Sequence, residues 1–392
     1  MTASVSTRPT HYDIVVIGGG PVGLAAACAG ARRGHSVLVL EQYEILHEHG
    51  SSGGAERQWR LQYAQEDLAR LTVEALPLWA ELEQAGGRRL VHRTGSLWFG
   101  DTATSTNEGQ VNAAVAVLDR LGLPYEWLAA KDIEERYRFA RLPGHYEGFF
   151  QPDGGMVDVR ATLWLLYEQA RAAGARVRDR EPVRAIEPDD NGVTVRTEHG
   201  HYRADHVIVA AGAFSAPLLR PLGIDFDVEL YEMATAYFRC VDPDFDYPTW
   251  FAFQRPTEED TNLFYGFGRL PWATGDLVRV APDFEVDVFD DAYGASRTPA
   301  PRHVKRTADW VAEHMPALDP NPLHPGTCLI ALPKDHERQF YFGHAPDSVP
   351  GARRLVVHGA GWGFKYIPLL GRACVELALD GRTGYDLSRF AF

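Results

Sequence analysis

His11-Tyr-Asp-Ile-Val-Val-Ile17-Gly-Gly-Gly-Pro-Val-Gly23-Leu-Ala-Ala-Ala-Cys28 reads as a buried strand that turns at once into a helix of small residues. The run from Ile14 to Ile17 is apolar and β-branched, as in a parallel strand covered on both faces. Gly18 permits the tight turn, Gly20 lets a pyrophosphate approach the backbone, and Gly23 lets helix and strand pack closely. Pro21 suits the first helical turn, where a missing N–H loses nothing. With Val22 it opens a helix whose free N–H groups face a phosphate. A second strand, Ser36-Val-Leu-Val-Leu-Glu41, ends in an acid placed to accept two ribose hydroxyls, which argues against a 2′-phosphate there. Strand, glycine turn, helix, strand and acid, in that order, make the dinucleotide-binding fingerprint.

The chain around this segment is acidic. Its 392 residues hold 39 Lys and Arg against 53 Asp and Glu, a net charge of −14. That balance speaks against duplex nucleic acid and anionic membrane surfaces as partners. No stretch approaches the roughly 18 apolar residues of a membrane span. Residues 1–10 read as a frayed polar tail without the apolar middle of a secretory signal. The four cysteines, Cys28, Cys240, Cys328 and Cys374, are too scattered for a disulfide scaffold or a Cys-x-x-Cys zinc site, so no metal is expected. A cytoplasmic protein with reduced thiols is the expectation.

After the second strand, Glu48-His-Gly-Ser51-Ser52-Gly-Gly-Ala-Glu-Arg57-Gln-Trp-Arg60 is a Ser/Gly-rich loop followed by spaced arginines. Ser51, Ser52 and Arg57 suit the second phosphate and the ring edge of a flavin, which favours FAD over NAD. Tyr202–Val209 reads as a strand running into Ala211-Gly212, closing the adenosine side. Val183, heading a short strand, joins the same cofactor set. Residues near 88–150 and 226–320 lack the βαβ rhythm and carry aromatic runs such as Leu97-Trp-Phe and Trp250-Phe-Ala-Phe, the pattern of a mostly antiparallel sheet. The predicted fold is α/β: a Rossmann-like FAD-binding domain in three segments (10–87, 151–225, 323–392). Interleaved with it is a mostly antiparallel α+β substrate domain (88–150, 226–322).

The C-terminal third adds Gly326-Thr327-Cys328 and then Leu355-Val-Val-His-Gly-Ala-Gly361-Trp362-Gly363-Phe364-Lys365, which leads into a helix from Pro368. Together with the fingerprint and the Gly50–Arg60 loop, these motifs resemble the monomeric sarcosine oxidase and N-methyltryptophan oxidase family of FAD amine oxidases. That family lies within the D-amino-acid-oxidase-like group, and the resemblance spans nearly the whole chain. Trp362, where sarcosine oxidase has a histidine, is similar to the nikkomycin-pathway oxidase, which acts on a cyclic imino acid.

The resemblance implies a thioether from Cys328 to the flavin 8α-methyl group. It sets the Gly361–Lys365 turn, with Gly363 and Phe364, over the flavin pyrimidine ring, and Lys365 there or on a substrate carboxylate. Such a turn gathers N–H groups and partial positive charge at one point, which favours anionic reduced flavin. Arg60 corresponds to the arginine that grips the substrate carboxylate, a contact suited to its planar fork. Arg57 corresponds to an arginine near the flavin face, and Tyr265 to a pocket tyrosine. Arg279 stands for the family lysine that helps oxygen accept electrons, and Asp283 for a nearby histidine. Ser52-Gly53 replaces paired histidines. Trp362 with Trp250, Phe251 and Phe253 points to a ring-bearing or bulky substrate.

The expected activity is oxidation of a C–N bond of an N-methyl, cyclic secondary or bulky aromatic amino acid to an imine. Oxygen is reduced to hydrogen peroxide, the enzyme is a monomer, and positioning and electrostatics supply most of the rate. The alternatives are an FAD-dependent amino acid dehydrogenase using another acceptor, a flavin monooxygenase, and a flavin-bearing subunit without turnover of its own.

Overall fold

The apolar run near the start of the chain forms the strand Thr10–Ile17 at the centre of an eight-stranded sheet. The structure, a computed structural model, describes residues 10–106, 108–224, 227–255, 263–282, 288–289, 291–335, 338–359 and 361–392. Two compact units emerge. One comprises Met1–Gly53, Arg160–Glu229 and Ile330–Phe392; the other comprises Gly54–Val159 and Leu230–Leu329.

In the first unit, Thr10–Ile17 pairs in parallel with Val37–Leu40 and with His201–Val209, so that Ile17 faces both Leu40 and Val209. Val37–Leu40 is buried at every position, as a strand covered on both faces must be. The helix Pro21–Arg32 follows the glycine turn directly. It packs on the helix Ile367–Asp380, where a Cβ on Gly371 would lie 2.4 Å from that of Ala25. The small side chains of the fingerprint helix therefore set this helix spacing. Val183–Asp189 and Gly192–Thr197 form a hairpin, and Leu355–Gly359 adds in parallel to His201–Val209.

The second unit is built on a nine-stranded sheet. From Val288–Phe289 its order runs through Val228–Arg239, Leu277–Pro282, Leu263–Gly266, Thr249–Phe253, Ser96–Gly100 and Glu147–Gln151 to Glu126–Ala129, and Leu323–Pro333 pairs with Val228–Arg239. Along that order every ladder is antiparallel except the one between Thr249–Phe253 and Ser96–Gly100. Strand alternation splits the aromatics between two cores. Trp250 and Ala252 pack with Phe99, Phe264 and Trp310 in one, while Phe251 and Phe253 pack with Trp98, Phe149 and Leu263 in the other. Register then places Trp98, Phe251, Tyr265 and Ala281 in one row across four strands. Arg279 lies two residues from Ala281 on that same face, opposite Tyr237.

The first segment boundary lies at 53/54, whereas the sequence reading set it at 87/88. Glu56–Trp59 ladders with Gly155–Asp158, which in turn ladders with Val91–His92. This small sheet draws residues 54–87 and 151–159 into the second unit. Among the described residues no helix is long and apolar enough to cross a membrane.

Candidate active site

At the carboxyl end of the parallel strands, the three fingerprint glycines meet different demands. Gly18 has φ 107°, and a Cβ there would stand 2.4 Å from the Ala210 carbonyl oxygen; at Gly23 it would stand 2.0 Å from the Gly18 oxygen. Protein packing alone requires both. Gly20 is extended (φ −72°, ψ 178°), and a Cβ on it would meet nothing within 4 Å. The helix behind it, starting with Pro21 and buried Val22, has no side-chain cap, so its first N–H groups are open to an anion.

Glu41 lies against the same turn, its carboxylate accepting from Gly19 N–H at 2.7 Å and Tyr43 N–H at 2.9 Å, with His47 Nε2 at 3.3 Å. Burial opposes its charge, but the hydrogen bonds from His47, Tyr43 and Gly19 outweigh it and hold Glu41 below the usual carboxylate range. Ala210 N donates to Ile17 O at 2.8 Å, which brings Ala211 and Gly212 beside the glycine turn. Val183 is buried at the head of its strand, and Ser51 and Ser52 lie in a half-buried turn.

The second turn of this unit follows Leu355–Gly359. Gly361 has φ 87°, and a Cβ there would be 1.6 Å from Gln339 O, so the backbone conformation excludes any other residue. Its N–H donates to Ala331 O and that of Trp362 to Gln339 O. Phe364–Tyr366 makes a single helical turn before the helix Ile367–Asp380. Lys365 is only 7 % exposed. It is not a solvated surface lysine.

His358 stands beneath Gly363, its Nε2 without a hydrogen-bond partner among the described residues. Burial pushes this imidazole down to about 4. The folded state therefore binds fewer protons than the unfolded chain between about pH 6.5 and 4. The stabilisation is full above 6.5 and is lost as pH falls toward 4, about 3 kcal/mol in all. Urea unfolding at pH 7 and pH 4.5 should show this loss in the wild type and a smaller one in His358→Leu. Equal losses would assign the acid sensitivity elsewhere.

In the second unit, the strand Glu56–Trp59 carries two groups of the site. Arg57 donates to Glu56 O at 2.7 Å through Nη1 and to Cys328 Sγ at 3.4 Å through Nη2. Cys328 is half-buried, whereas Cys28, Cys240 and Cys374 are buried. Burial pushes the Cys28, Cys240 and Cys374 thiols up, which suits inert core cysteines. Arg279 Nε lies 2.8 Å from Glu56 Oε1; Glu56 is 0 % exposed, and Tyr237 Oη donates toward its two oxygens at 3.3 Å each. The guanidinium also covers the Phe267 ring at 4.3 Å. Arg279, which stands for the family lysine, is thus one half of a buried ion pair. Burial raises the Tyr265 phenol, which feels the charges of Arg279, Cys328, Arg57 and Glu108. It is neutral at physiological pH.

Arg60, just beyond the strand, is 3 % exposed. Its guanidinium lies 4.7 Å from the Tyr63 ring centre, 5.2 Å from Phe251 and 5.4 Å from Trp98, a cage formed partly by the aromatic row of the sheet. Glu108 Oε2 pairs with Nη2 at 2.5 Å. Burial opposes the charge, but Glu108 and Tyr63 more than offset it, so Arg60 stays protonated. Its Nε, also buried, has no hydrogen-bond acceptor among the described residues.

The structure therefore brings Arg57, Arg60, Tyr265, Arg279 and Cys328 together, with Glu56, Glu108 and Tyr237 as partners that the sequence reading missed. Trp250 and Phe253 do not join them. Both are fully buried, and Trp250 lies on the opposite sheet face, stacked on Trp310 at 5.1 Å. Of that aromatic trio only Phe251 reaches the site. Asp283 lies outside the described residues.

The profile of the family described as FAD dependent oxidoreductase matches residues 13–377. The chain belongs to this family. Among individual proteins, a Dictyostelium discoideum protein designated a bifunctional amine oxidase is 32% identical over 401 residues, which cover 97% of this chain but 37% of that longer protein. The monomeric sarcosine oxidase of Bacillus sp. (strain NS-129) is 24% identical, covering 97% of this chain and 96% of its own. The solved open form of NikD, described as an unusual amino acid oxidase essential for nikkomycin biosynthesis, superposes with a TM-score of 0.93 at 53% identity over 97% of both chains. This FAD-dependent oxidoreductase is thus an enzyme of the amine and amino acid oxidase group.

The residues fit the cofactor of that family. The open space at Gly20 has no use within the protein and admits a phosphate, the uncapped helix attracts one, and the Glu41 carboxylate lies against the same turn. Nothing in the FAD-dependent oxidoreductase's own packing asks for a glycine at position 20.

Proposed function

We propose that the enzyme oxidises the C–N bond of an amino acid whose carboxylate is held by Arg60, passing the electrons to oxygen to give hydrogen peroxide. The observation that carries this reading is the Arg60 Nε donor. It is buried in an aromatic cage and has no hydrogen-bond acceptor among the described residues, while Glu108 takes another edge of the guanidinium. A buried donor left unmade is costly, and a carboxylate of the substrate meets that need.

FAD, when bound, supplies the two-electron acceptor. Gly18, Gly20, Pro21, Val22, Gly23, Glu41, Ser51, Ser52, Val183, Ala211 and Gly212 are its proposed adenosine and phosphate contacts. Arg57, Cys328, Gly361, Gly363, Phe364 and Lys365 are its proposed ring contacts, with Cys328 attached covalently.

The chain's own part is to orient the substrate and exclude water. Arg60 fixes the carboxylate, Tyr265 and Phe251 offer a flat wall, and Trp362 is assigned to the same substrate. That wall, and the 53% identity with NikD, support a cyclic or aromatic amino acid over sarcosine, and a place in secondary metabolism. A cytoplasmic setting is part of the same reading.

Anaerobic mixing with a panel of N-methyl, cyclic and aromatic amino acids should bleach the flavin with at least one of them. Bleaching by none would refute the reading. One observation favours a dehydrogenase instead: the cation proposed to assist oxygen, Arg279, is neutralised by Glu56. Reduced enzyme that is inert to air yet reacts with an artificial acceptor would decide for that alternative.

A further inference from the structure

Glu232 is a carboxylate 5 % exposed in the middle of the strand Val228–Arg239, and it belongs to neither the cofactor set nor the substrate set above. Its Oε1 accepts from Thr327 Oγ1 at 2.9 Å and from Arg297 N at 2.5 Å. Its Oε2 accepts from Ser296 Oγ at 2.8 Å and Ser296 N at 3.2 Å. An ionised carboxylate has about four acceptor sites, so these donors satisfy it. Three residues along the same strand, Thr235 Oγ1 donates to Gly326 O at 3.3 Å. The consecutive residues Gly326 and Thr327 are therefore both tied to Val228–Arg239 through side-chain hydrogen bonds.

Cys328 is next in the chain. Side chains alternate along an extended strand, so fixing Thr327 toward Glu232 turns Cys328 to the other face. There its Sγ meets the Arg57 guanidinium at 3.4 Å. A hydroxyl tied behind it and a guanidinium against the sulfur hold this one half-buried thiol in a single orientation.

We infer that Glu232, acting through the Thr327 hydroxyl, is a positioning residue for covalent attachment of the flavin at Cys328. The inference rests on the proposed thioether. In that attachment a C–S bond forms as the thiol loses its S–H proton and the 8α-methyl group loses one C–H. The two electrons and two protons released end on dioxygen as hydrogen peroxide, so atoms and electrons balance.

The test uses full-length protein purified with its flavin. Each sample is incubated with added FAD, precipitated with acid at intervals, and its pellet and supernatant flavin measured. Wild type should retain its flavin in a yellow pellet. Thr327→Val, nearly isosteric but without the hydroxyl, should keep the total flavin content yet form pellet-bound flavin at least about ten-fold more slowly. Thr327→Ser, which restores the hydroxyl, should recover the wild-type rate, and Glu232→Gln should fall between the two. Cys328 in Thr327→Val should also react with a thiol reagent at an altered rate in the fraction lacking bound flavin.

A yellow Thr327→Val pellet formed at the wild-type rate would overturn the inference and leave the thioether standing. Equal losses in the Val and Ser variants would overturn it too, since the hydroxyl would then be irrelevant. A colourless wild-type pellet would remove the thioether and this inference with it.

Discussion

Arg279→Met should destabilise the enzyme by about 3–5 kcal/mol, because it leaves a buried carboxylate without its cation. Glu56 is fully buried, and the Arg279 side chain opposite it is 8 % exposed. Tyr237 contributes one hydroxyl at 3.3 Å from each oxygen, which does not replace a guanidinium. The double variant Glu56→Gln, Arg279→Met removes both charges and should recover most of the loss, to within about 1.5 kcal/mol of wild type, since the pair as a whole contributes far less than either orphan costs.

Urea unfolding of the three proteins measures the difference. A double variant no more stable than Arg279→Met would show that the two charges do not share their burial. The oxygen reaction gives a second readout, on the single variant at Glu56. Glu56→Gln, which keeps Arg279 but frees its charge, should speed reoxidation relative to flavin reduction, because an uncompensated cation stabilises charge developing on oxygen. Unchanged reoxidation would remove Arg279 from the oxygen step and leave it a structural role.

The Arg279–Glu56 pair also marks where a one-dimensional reading runs out. The fingerprint was legible because its determinants are local: apolar strand, three spaced glycines and helix occupy the short span from Thr10 to Arg32. Arg57, Arg60, Cys328 and Lys365 were legible through motifs. Their partners were not.

Glu56 adjoins Arg57 in sequence, but nothing there says that its carboxylate turns toward Arg279, which reaches it only when Val228–Arg239 and Leu277–Pro282 pair. Glu108 lies in a loop far along the chain from Arg60 and carries no local signal. The aromatic run Trp250-Phe-Ala-Phe was read as one pocket wall, although alternation sends Trp250 and Phe251 to opposite faces. Which of the two faces bears the site depends on register with Ser96–Gly100 and Leu263–Gly266. That register is a long-range property. The same holds for residues 54–87, whose placement follows from three short strands too weakly apolar to stand out in sequence.

Arg60→Met should lower kcat/KM for an amino acid substrate by about 10- to 150-fold, the equivalent of roughly 1.5–3 kcal/mol for a charge-assisted hydrogen bond. The effect should be specific to the carboxylate. Wild type should strongly prefer an amino acid to the corresponding decarboxylated amine, and the variant should lose most of that preference. Arg60→Lys should recover only part of it, since an ammonium cannot reproduce the planar fork and stacks less well within the cage of Tyr63, Phe251 and Trp98.

Glu108 sharpens the comparison. It already occupies one edge of the guanidinium, so the net gain on substrate binding reflects the remaining donors, including Nε, which has no acceptor among the described residues. Removing Arg60 also leaves Glu108, itself mostly buried, beside the space the carboxylate would take. The two negative charges then repel, and the loss should lie toward the upper end of the range for an acid and be small for an amine. Anaerobic titration of the flavin spectrum with each ligand separates binding from turnover. If Arg60→Met bound acid and amine with the wild-type ratio, the carboxylate would have to be held elsewhere, and the buried guanidinium would serve only to pair Glu108.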